Sequence, residues 1–132
     1  MNGGETNYIE YAEAVALHHE TMARFGDARC GVFSQSLIES ALARPQLAAQ
    51  YENADLIRQA ATLWFGLIKN HPFLGGNRRT ATFVTKSFLE RNGLKVIATT
   101  DEFVELCALV QSDVWKVDEI ENWLRERIKK TE

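Results

Sequence analysis

Residues 55–80 read DLIRQAATLWFGLIKNHPFLGGNRRT, a long apolar segment followed by a histidine, a proline and two adjacent glycines. The apolar residues cover most sides of a predicted helix that has Asp55 as its N-cap and runs to about Lys69. Such a helix belongs in the centre of a domain. Pro72 must end it, which places His71 at the end of a buried helix. We therefore expect the fold to be built around this stretch.

The residues that follow the predicted central helix have the features of an anion site. Gly75 and Gly76 permit backbone angles at which consecutive N–H groups turn toward one point. A helix predicted to begin at about Asn77 adds free N–H groups and the positive end of its dipole. Arg78 and Arg79 supply guanidinium groups that balance phosphate charge. These five residues therefore predict a phosphate-binding site.

His71 adds a proton acceptor to this predicted site. A histidine changes its charge near neutral pH, and beside bound phosphates it is typical of phosphoryl or nucleotidyl transfer. A short Gly-Asn-Arg string alone would also fit a helix-connecting turn, with His71 at the surface and the arginines solvated. The longer pattern favours the transfer chemistry.

The stretch from His71 to Ala81 resembles the signature of the Fic/Doc superfamily. In that family a His, a Phe two residues on, an acidic residue, a small residue, an Asn and an Arg occur at this spacing. The stretch is most similar to the Doc (death-on-curing) branch, where a Lys commonly stands at the position of Arg78 and the motif ends in Arg-Thr-Ala. The likeness extends to the pair Leu17 and His18, the run SLIESALARPQ at 36–46, and the run FGLIKNHPF that ends at Phe73.

One position departs from the family pattern. Where the family has Asp or Glu, this sequence has Gly75. The resemblance assigns that carboxylate to a magnesium ion that bridges nucleotide phosphates, and glycine has no side chain to ligate a metal. We therefore expect no metal ligand here and weak recruitment of Mg²⁺, and we expect Gly75→Asp to restore magnesium dependence.

The resemblance also implies an activity. It implies a protein kinase that transfers phosphate from ATP to a hydroxyl of a target protein, with His71 as general base and the residues from Gly75 to Arg79 holding the phosphates. A basic residue at Arg78 favours the kinase, since larger Fic enzymes usually have glycine there and mostly transfer AMP. Phe73 is expected to point into the core as the anchor of the loop.

The implied biological setting is a bacterial toxin–antitoxin pair. By the same resemblance the target is a translation elongation factor of the Tu type, so that the toxin arrests translation. The implied partner is a small antitoxin with a disordered segment that folds against a groove on this protein. The alternatives are a catalytically inactive Doc-like module that still binds the antitoxin, and an AMP transferase. An HNH-type nuclease would need a second metal-ligand histidine near the motif and a ββα context, and the sequence has neither.

Composition sets the wider limits. The chain has 132 residues, which predicts one domain over 1–132, and its net charge of −3 argues against direct nucleic-acid binding. Without a secretory leader pattern or an apolar run of roughly 18 residues, it should be cytoplasmic and should not enter a membrane. Cys30 and Cys107 lack metal-ligand spacing and are expected to be free thiols. His18 and His19 are expected to be satisfied polar residues rather than metal ligands.

The remaining elements complete an all-α prediction, a compact Fic/Doc-like bundle of about six helices with the motif loop between two central ones. A capping box at Ser36 predicts the second helix, which should stop before Pro45. Ile128 is placed on the apolar stripe of the last helix, and the basic residues near it on a solvated face. The first predicted helix runs from about Tyr8 to Phe25, and the second ends near Ala43. The others run from about Asn77 to Arg91, from the Thr99 capping box to Val110, and from Asp118 onward, with 94–97 extended.

Overall fold

The computed structural model describes residues 5–131, which form six helices around one hydrophobic core. This confirms the all-α prediction. None of these helices combines the length and apolar character that a membrane span requires. The helices are α1 (Tyr11–Phe25), α2 (Gln35–Glu52), α3 (Leu56–Asn70), α4 (Asn77–Arg91), α5 (Thr100–Gln111) and α6 (Val117–Arg125), and the short strands β1 (Leu94–Val96) and β2 (Ile128–Lys130) pair antiparallel.

Helix α3 lies in the centre, as its sequence predicts, and packs against α2, α4, α5 and α6. Asp55 is its N-cap, and the Asp55 carboxylate accepts a hydrogen bond from the backbone N–H of Arg58 at 2.9 Å. Trp64 is fully buried, with its ring centroid 5.6 Å from that of Trp123 and 6.0 Å from that of Phe103. The segment that leads into the motif is therefore fixed on several sides.

Helix α2 continues through Pro45, so the predicted stop near Ala43 is wrong. A proline inside a helix removes one backbone hydrogen bond and usually breaks the helix. Here the buried residues of α2 recur at helical spacing and form one face, and α2 packs extensively along α3. Burial of this face offsets the lost hydrogen bond. The face consists of Ile38, Ala41, Pro45 and Ala48.

The first residue of α2 also differs from the prediction. The N-cap is Ser34, whose Oγ accepts a hydrogen bond from the N–H of Leu37 at 3.2 Å, whereas Ser36 lies inside the helix. The backbone N–H of Ser34 donates to the carbonyl oxygen of Pro72 at 3.0 Å. This long-range bond holds Ser34 in an extended conformation and so fixes where the helix begins.

The C-terminal segment differs from the prediction. Helix α6 ends at Arg125, and Ile128 lies on β2 opposite Val96 rather than on a helical stripe. Arg127 lies between the two elements, where its guanidinium contacts the Trp123 ring at 4.4 Å and the carboxylate of Glu102. Pairing with β1 gives the backbone after Arg125 partners that a helical end would lack. Lys129 and Lys130 are exposed, as predicted.

Replacing Ser34 by Ala should lower the free energy of unfolding by about 1 kcal/mol, because an N-cap side chain is lost. Ser36→Ala is the matched control and should have a much smaller effect, since Ser36 does not cap the helix. Urea unfolding followed by circular dichroism measures both. Equal effects would contradict the assignment of Ser34 as the N-cap.

Candidate functional site

A cavity of about 550 Å³ lies where the motif loop, residues 71–76, meets the α1–α2 loop, residues 26–34. All six residues predicted for the site line it, namely His71, Gly75, Gly76, Asn77, Arg78 and Arg79. The structure therefore brings them together as the sequence pattern predicts. Other residues of the lining are Asp27, Arg29, Phe33, Phe73, Leu74 and Gln111.

His71 is the C-cap of α3 and has an exposed side chain on a fixed backbone. Its φ of 49° is left-handed, which ends the helix and turns the chain toward the cavity. Just before it, the Asn70 amide donates to the carbonyl oxygen of Leu37 at 2.9 Å. Just after it, the Pro72 carbonyl oxygen accepts from the N–H of Phe33 at 2.9 Å. The imidazole is thus presented from a position held on both sides.

The motif loop pairs with the α1–α2 loop like two strands. Val32 and Phe73 form an antiparallel bridge, and the N–H of Leu74 donates to the carbonyl oxygen of Gly31 at 2.9 Å. Phe73 is buried, which confirms its predicted role as an anchor. Its ring stacks on the imidazole of His18, with the centroids 4.1 Å apart.

His18 connects three segments around the site. Its Nε2 accepts a hydrogen bond from the N–H of Gly31 at 3.0 Å, so Nδ1 must carry the proton and donate to Thr80 Oγ1 at 2.9 Å. The side chain is fully buried. Burial lowers the pKa of His18 to about 4, and the positive charge that neighbouring His19 can carry acts in the same direction. The expectation of a satisfied polar histidine is confirmed for His18.

Asn77 closes the motif loop. Its Oδ1 accepts a hydrogen bond from the N–H of Phe73 at 2.9 Å, and its Nδ2 donates to the carbonyl oxygen of Phe73 at 3.0 Å. The amide is therefore mostly occupied within the loop. The predicted contact of Asn77 with phosphate now depends on its backbone N–H and one remaining amide hydrogen.

The start of α4 has the geometry of an anion site. Gly76 is its N-cap with a φ of 63°, and any Cβ at that position would collide with the sulfur of Met22. The helix has no side-chain cap, and within residues 5–131 the backbone N–H groups of Asn77, Arg78 and Arg79 have no acceptor. Free donors at a helix start bind phosphate or carboxylate groups well.

Gly75 differs from its predicted role in two ways. Its φ is not positive, so the turn requires left-handed geometry only at Gly76. The space beside it is also filled, because a Cβ on Gly75 would lie 2.7 Å from the Cβ of Arg29 and 3.0 Å from the Arg29 carbonyl oxygen. An aspartate at this position would have to displace the α1–α2 loop. The sequence pattern led us to expect that Gly75→Asp restores magnesium binding. Because of this overlap with Arg29, we now expect that it does not.

Asp27 and Arg29 are the residues that the sequence pattern missed. Arg29 donates through Nε and Nη2 to the two carboxylate oxygens of Asp27, at 3.1 and 2.8 Å. The Arg29 guanidinium holds the pKa of Asp27 at about 2, with Arg79 acting in the same direction. The pair lies far from the motif in sequence and has no distinctive spacing, so only the folded chain brings it to the cavity.

The side chains around the cavity do not form a magnesium site. In the part of the chain that the structure describes, no three His, Cys, Asp or Glu residues are grouped so that they could hold a metal ion. Among the described lining residues Asp27 is the only one with a carboxylate, and both of its oxygens already bind Arg29. Magnesium usually needs one or two available carboxylates together with substrate phosphates. Gly75 offers none.

A second cavity of about 500 Å³ adjoins the first and is called here the α4–α5 groove. Arg78 and Arg79 line both cavities, and the guanidinium of Arg79 lies 4.4 Å above the Phe25 ring. The groove combines apolar side chains with cations; its further lining includes Phe83, Phe103, Val104, Lys86 and Cys107. Both cysteines are free, as predicted.

Two comparisons with known proteins bear on this site. The family model described as the Fic/DOC family matches residues 8–89. That range includes the central helix, the motif loop and most of α4. The chain is also 32% identical over 90 residues to the protein named "Protein kinase doc" from Escherichia phage P1, covering 67% of this chain and 71% of that protein.

Stability should depend on pH through His18. The folded pKa is about 4 and the ordinary value is 6.5, so the unfolded chain binds the proton first as the pH falls. The free energy of unfolding should therefore have its full value above about pH 6.5 and fall by up to about 3 kcal/mol toward pH 4. Urea unfolding at several pH values measures this. The exposed control His19→Gln should keep most of the dependence, and a flat profile would contradict a buried neutral His18.

Gly75→Ala should lower the free energy of unfolding by about 1–3 kcal/mol, because the new methyl group overlaps Arg29. The double variant Gly75→Ala/Arg29→Gly removes the Cβ contact and should be less destabilised than the two single changes predict together. Thermal or urea unfolding of all three variants measures this coupling. Strict additivity would show that the two positions do not touch in solution.

Proposed function

Because the chain belongs to the Fic/Doc family, we propose that it is a Doc-like protein kinase that transfers the γ-phosphate of ATP to a hydroxyl of another protein. The observation that carries this proposal is the cavity that collects His71, Arg78, Arg79 and the uncapped start of α4. A base beside donors for phosphate is what phosphoryl transfer requires from a protein. The name of the phage P1 relative supports a kinase over an AMP transferase.

In the proposed reaction His71 acts as general base. Its imidazole accepts the proton of the target hydroxyl while the hydroxyl oxygen forms a bond to the γ-phosphorus. The bond between that phosphorus and the oxygen bridging to the β-phosphate breaks, and ADP leaves with the electron pair. The hydrogen bonds on either side of His71 keep the base in place, which favours a reaction that depends on positioning.

The residues from Gly75 to Arg79, which follow His71 in the motif, hold the phosphates. The backbone N–H groups at the start of α4 bind phosphate oxygens, and Arg78 and Arg79 balance their charge. Gly75 and Gly76 let the motif loop pack closely against Arg29 and Met22, which positions the start of α4. Since a carboxylate for magnesium is missing from the motif, we propose a transfer rate that is attenuated relative to family members with Asp or Glu at this position.

The family also suggests a setting. We propose that the protein is the toxin of a toxin–antitoxin pair, that its target is a translation elongation factor, and that phosphorylation of the target arrests translation. The antitoxin segment would bind the α4–α5 groove, where Phe25 and Val104 are 47% and 59% exposed. Arg78, Arg79 and Lys86 in the groove favour a segment that carries both apolar and acidic residues. Such a segment would also cover the two arginines of the phosphate site.

The test is incubation of the protein with a bacterial lysate and ATP labelled on either the γ- or the α-phosphate. Label from γ-ATP alone on one protein band is expected for a kinase. Label from α-ATP would indicate AMP transfer, and no label in either case would leave the inactive antitoxin-binding module. The two labels therefore separate all three functions in one experiment.

His71→Asn should abolish the labelling while leaving the melting temperature nearly unchanged, because asparagine tolerates positive φ and the His71 side chain is exposed. His19→Asn replaces an exposed histidine outside the cavity lining and is the matched control. Retained labelling in His71→Asn would remove this residue from the mechanism. A large fall in its melting temperature would make its role structural.

A further inference from the structure

We propose that Arg29, oriented by Asp27, balances phosphate charge at this site in place of a metal ion, so that the protein binds nucleotide phosphates without a divalent cation. The proposal rests on the nucleotide site described above and names a binding residue that the motif does not contain. It follows from the position of Arg29, its unused donors, its orientation by Asp27 and the charge of the cavity.

The missing side chain at Gly75 leaves room for Arg29. A Cβ on Gly75 would lie 2.7 Å from the Cβ of Arg29 and 3.1 Å from its Nε. The volume in which a carboxylate side chain would begin is therefore occupied by Arg29. Where a carboxylate would attract a cation to this side of the cavity, the chain supplies a cation directly.

The donors of Arg29 are only partly used. A guanidinium has five N–H donors, and two of them bind the carboxylate of Asp27. For the other three, the residues from 5 to 131 provide no partner within hydrogen-bond distance. The Arg29 side chain is 70% exposed, while that of Asp27 is 14% exposed, so the guanidinium faces solvent and the carboxylate lies behind it. A phosphate in the cavity can therefore reach the unused edge.

Asp27 limits the motion of this guanidinium. It accepts two side-chain hydrogen bonds from Arg29 and also the backbone N–H of Arg29 at 2.9 Å. The Arg29 guanidinium keeps the pKa of Asp27 at about 2. The carboxylate is therefore charged near neutral pH, and its ion pair with Arg29 stays formed. A guanidinium held in one orientation loses less conformational freedom when it binds a phosphate.

The charge of the cavity fits the same role. Its lining holds three guanidiniums, those of Arg29, Arg78 and Arg79, against the single carboxylate of Asp27. The lining therefore stays positive even with Asp27 ionised. A nucleotide triphosphate carries several negative charges, which guanidinium groups can contact in pairs of parallel hydrogen bonds. After the negative charge of Asp27 is subtracted from these three positive charges, the lining keeps an excess of positive charge that can offset phosphate charge in place of a metal ion.

The test is calorimetric titration of the full chain with a non-hydrolysable ATP analogue, once with excess EDTA and once with Mg²⁺. The wild-type protein should bind in EDTA, with an affinity that differs by less than about tenfold from that in Mg²⁺. Arg29→Gln should weaken binding in EDTA roughly tenfold, as expected when a charged donor is lost. Arg29→Lys keeps the charge but not the forked donors and should fall between the two.

Arg24→Gln is the matched control, since Arg24 is an exposed arginine on α1 that does not line the cavity. It should bind like the wild type, and all variants should melt like the wild type. Binding by the wild type only in Mg²⁺ would overturn this inference and leave the proposed kinase intact. Equal binding by Arg29→Gln and Arg24→Gln in EDTA would remove Arg29 from the site. No binding under either condition would overturn the proposed nucleotide site itself.

Discussion

The site depends on the close approach of the motif loop to the end of α1 and the loop after it. At Gly75 the neighbouring atoms belong to Arg29, and at Gly76 to Met22, and neither position has room for a Cβ. Backbone hydrogen bonds from Leu74 to Gly31 and from Phe33 and Ser34 to Pro72 close the same contact. Because the backbones touch, the start of α4 and the end of α3 are held at one cavity.

His18 makes this contact between the motif loop and the α1–α2 loop sensitive to pH. The imidazole is buried between α1, the α1–α2 loop and α4, and both ring nitrogens form hydrogen bonds only in the neutral form with the proton on Nδ1. Protonation would place a second donor against the N–H of Gly31. His18 thus holds the segments around the site together. The side chain of His71 is exposed at the cavity and is the one available for chemistry.

The electrostatic character of the cavity follows from the same packing. A motif with a carboxylate would combine one negative side chain with a metal ion and phosphates. In this chain Gly75 removes the carboxylate, and Arg29 occupies the adjoining volume while it pairs with Asp27. Together with Arg78 and Arg79 this produces a cavity in which guanidinium groups dominate. The change at one motif position is therefore coupled to a loop distant in sequence.

Local sequence signals predicted the elements that depend on local physics. The bounds of α3 and α4 follow from their caps, their apolar patterns and Pro72, and the capping box at Thr99 starts α5 as expected. The errors fall where a distant partner decides. Pro45 stays helical because α2 packs along α3, Ser34 is the cap because it bonds Pro72, and the chain near Ile128 forms a strand because β1 is beside it.

The sequence by itself determined the fold class, the central helix and the six motif residues that meet at the cavity, because periodicity, caps and spacing are encoded within a few turns of chain. Only the tertiary structure decided that Gly75 packs against Arg29 with no room for a Cβ between them. It also placed Asp27 and Arg29 in the site. Gly75 and Arg29 are 46 residues apart in the sequence, and no local pattern records a contact over that separation.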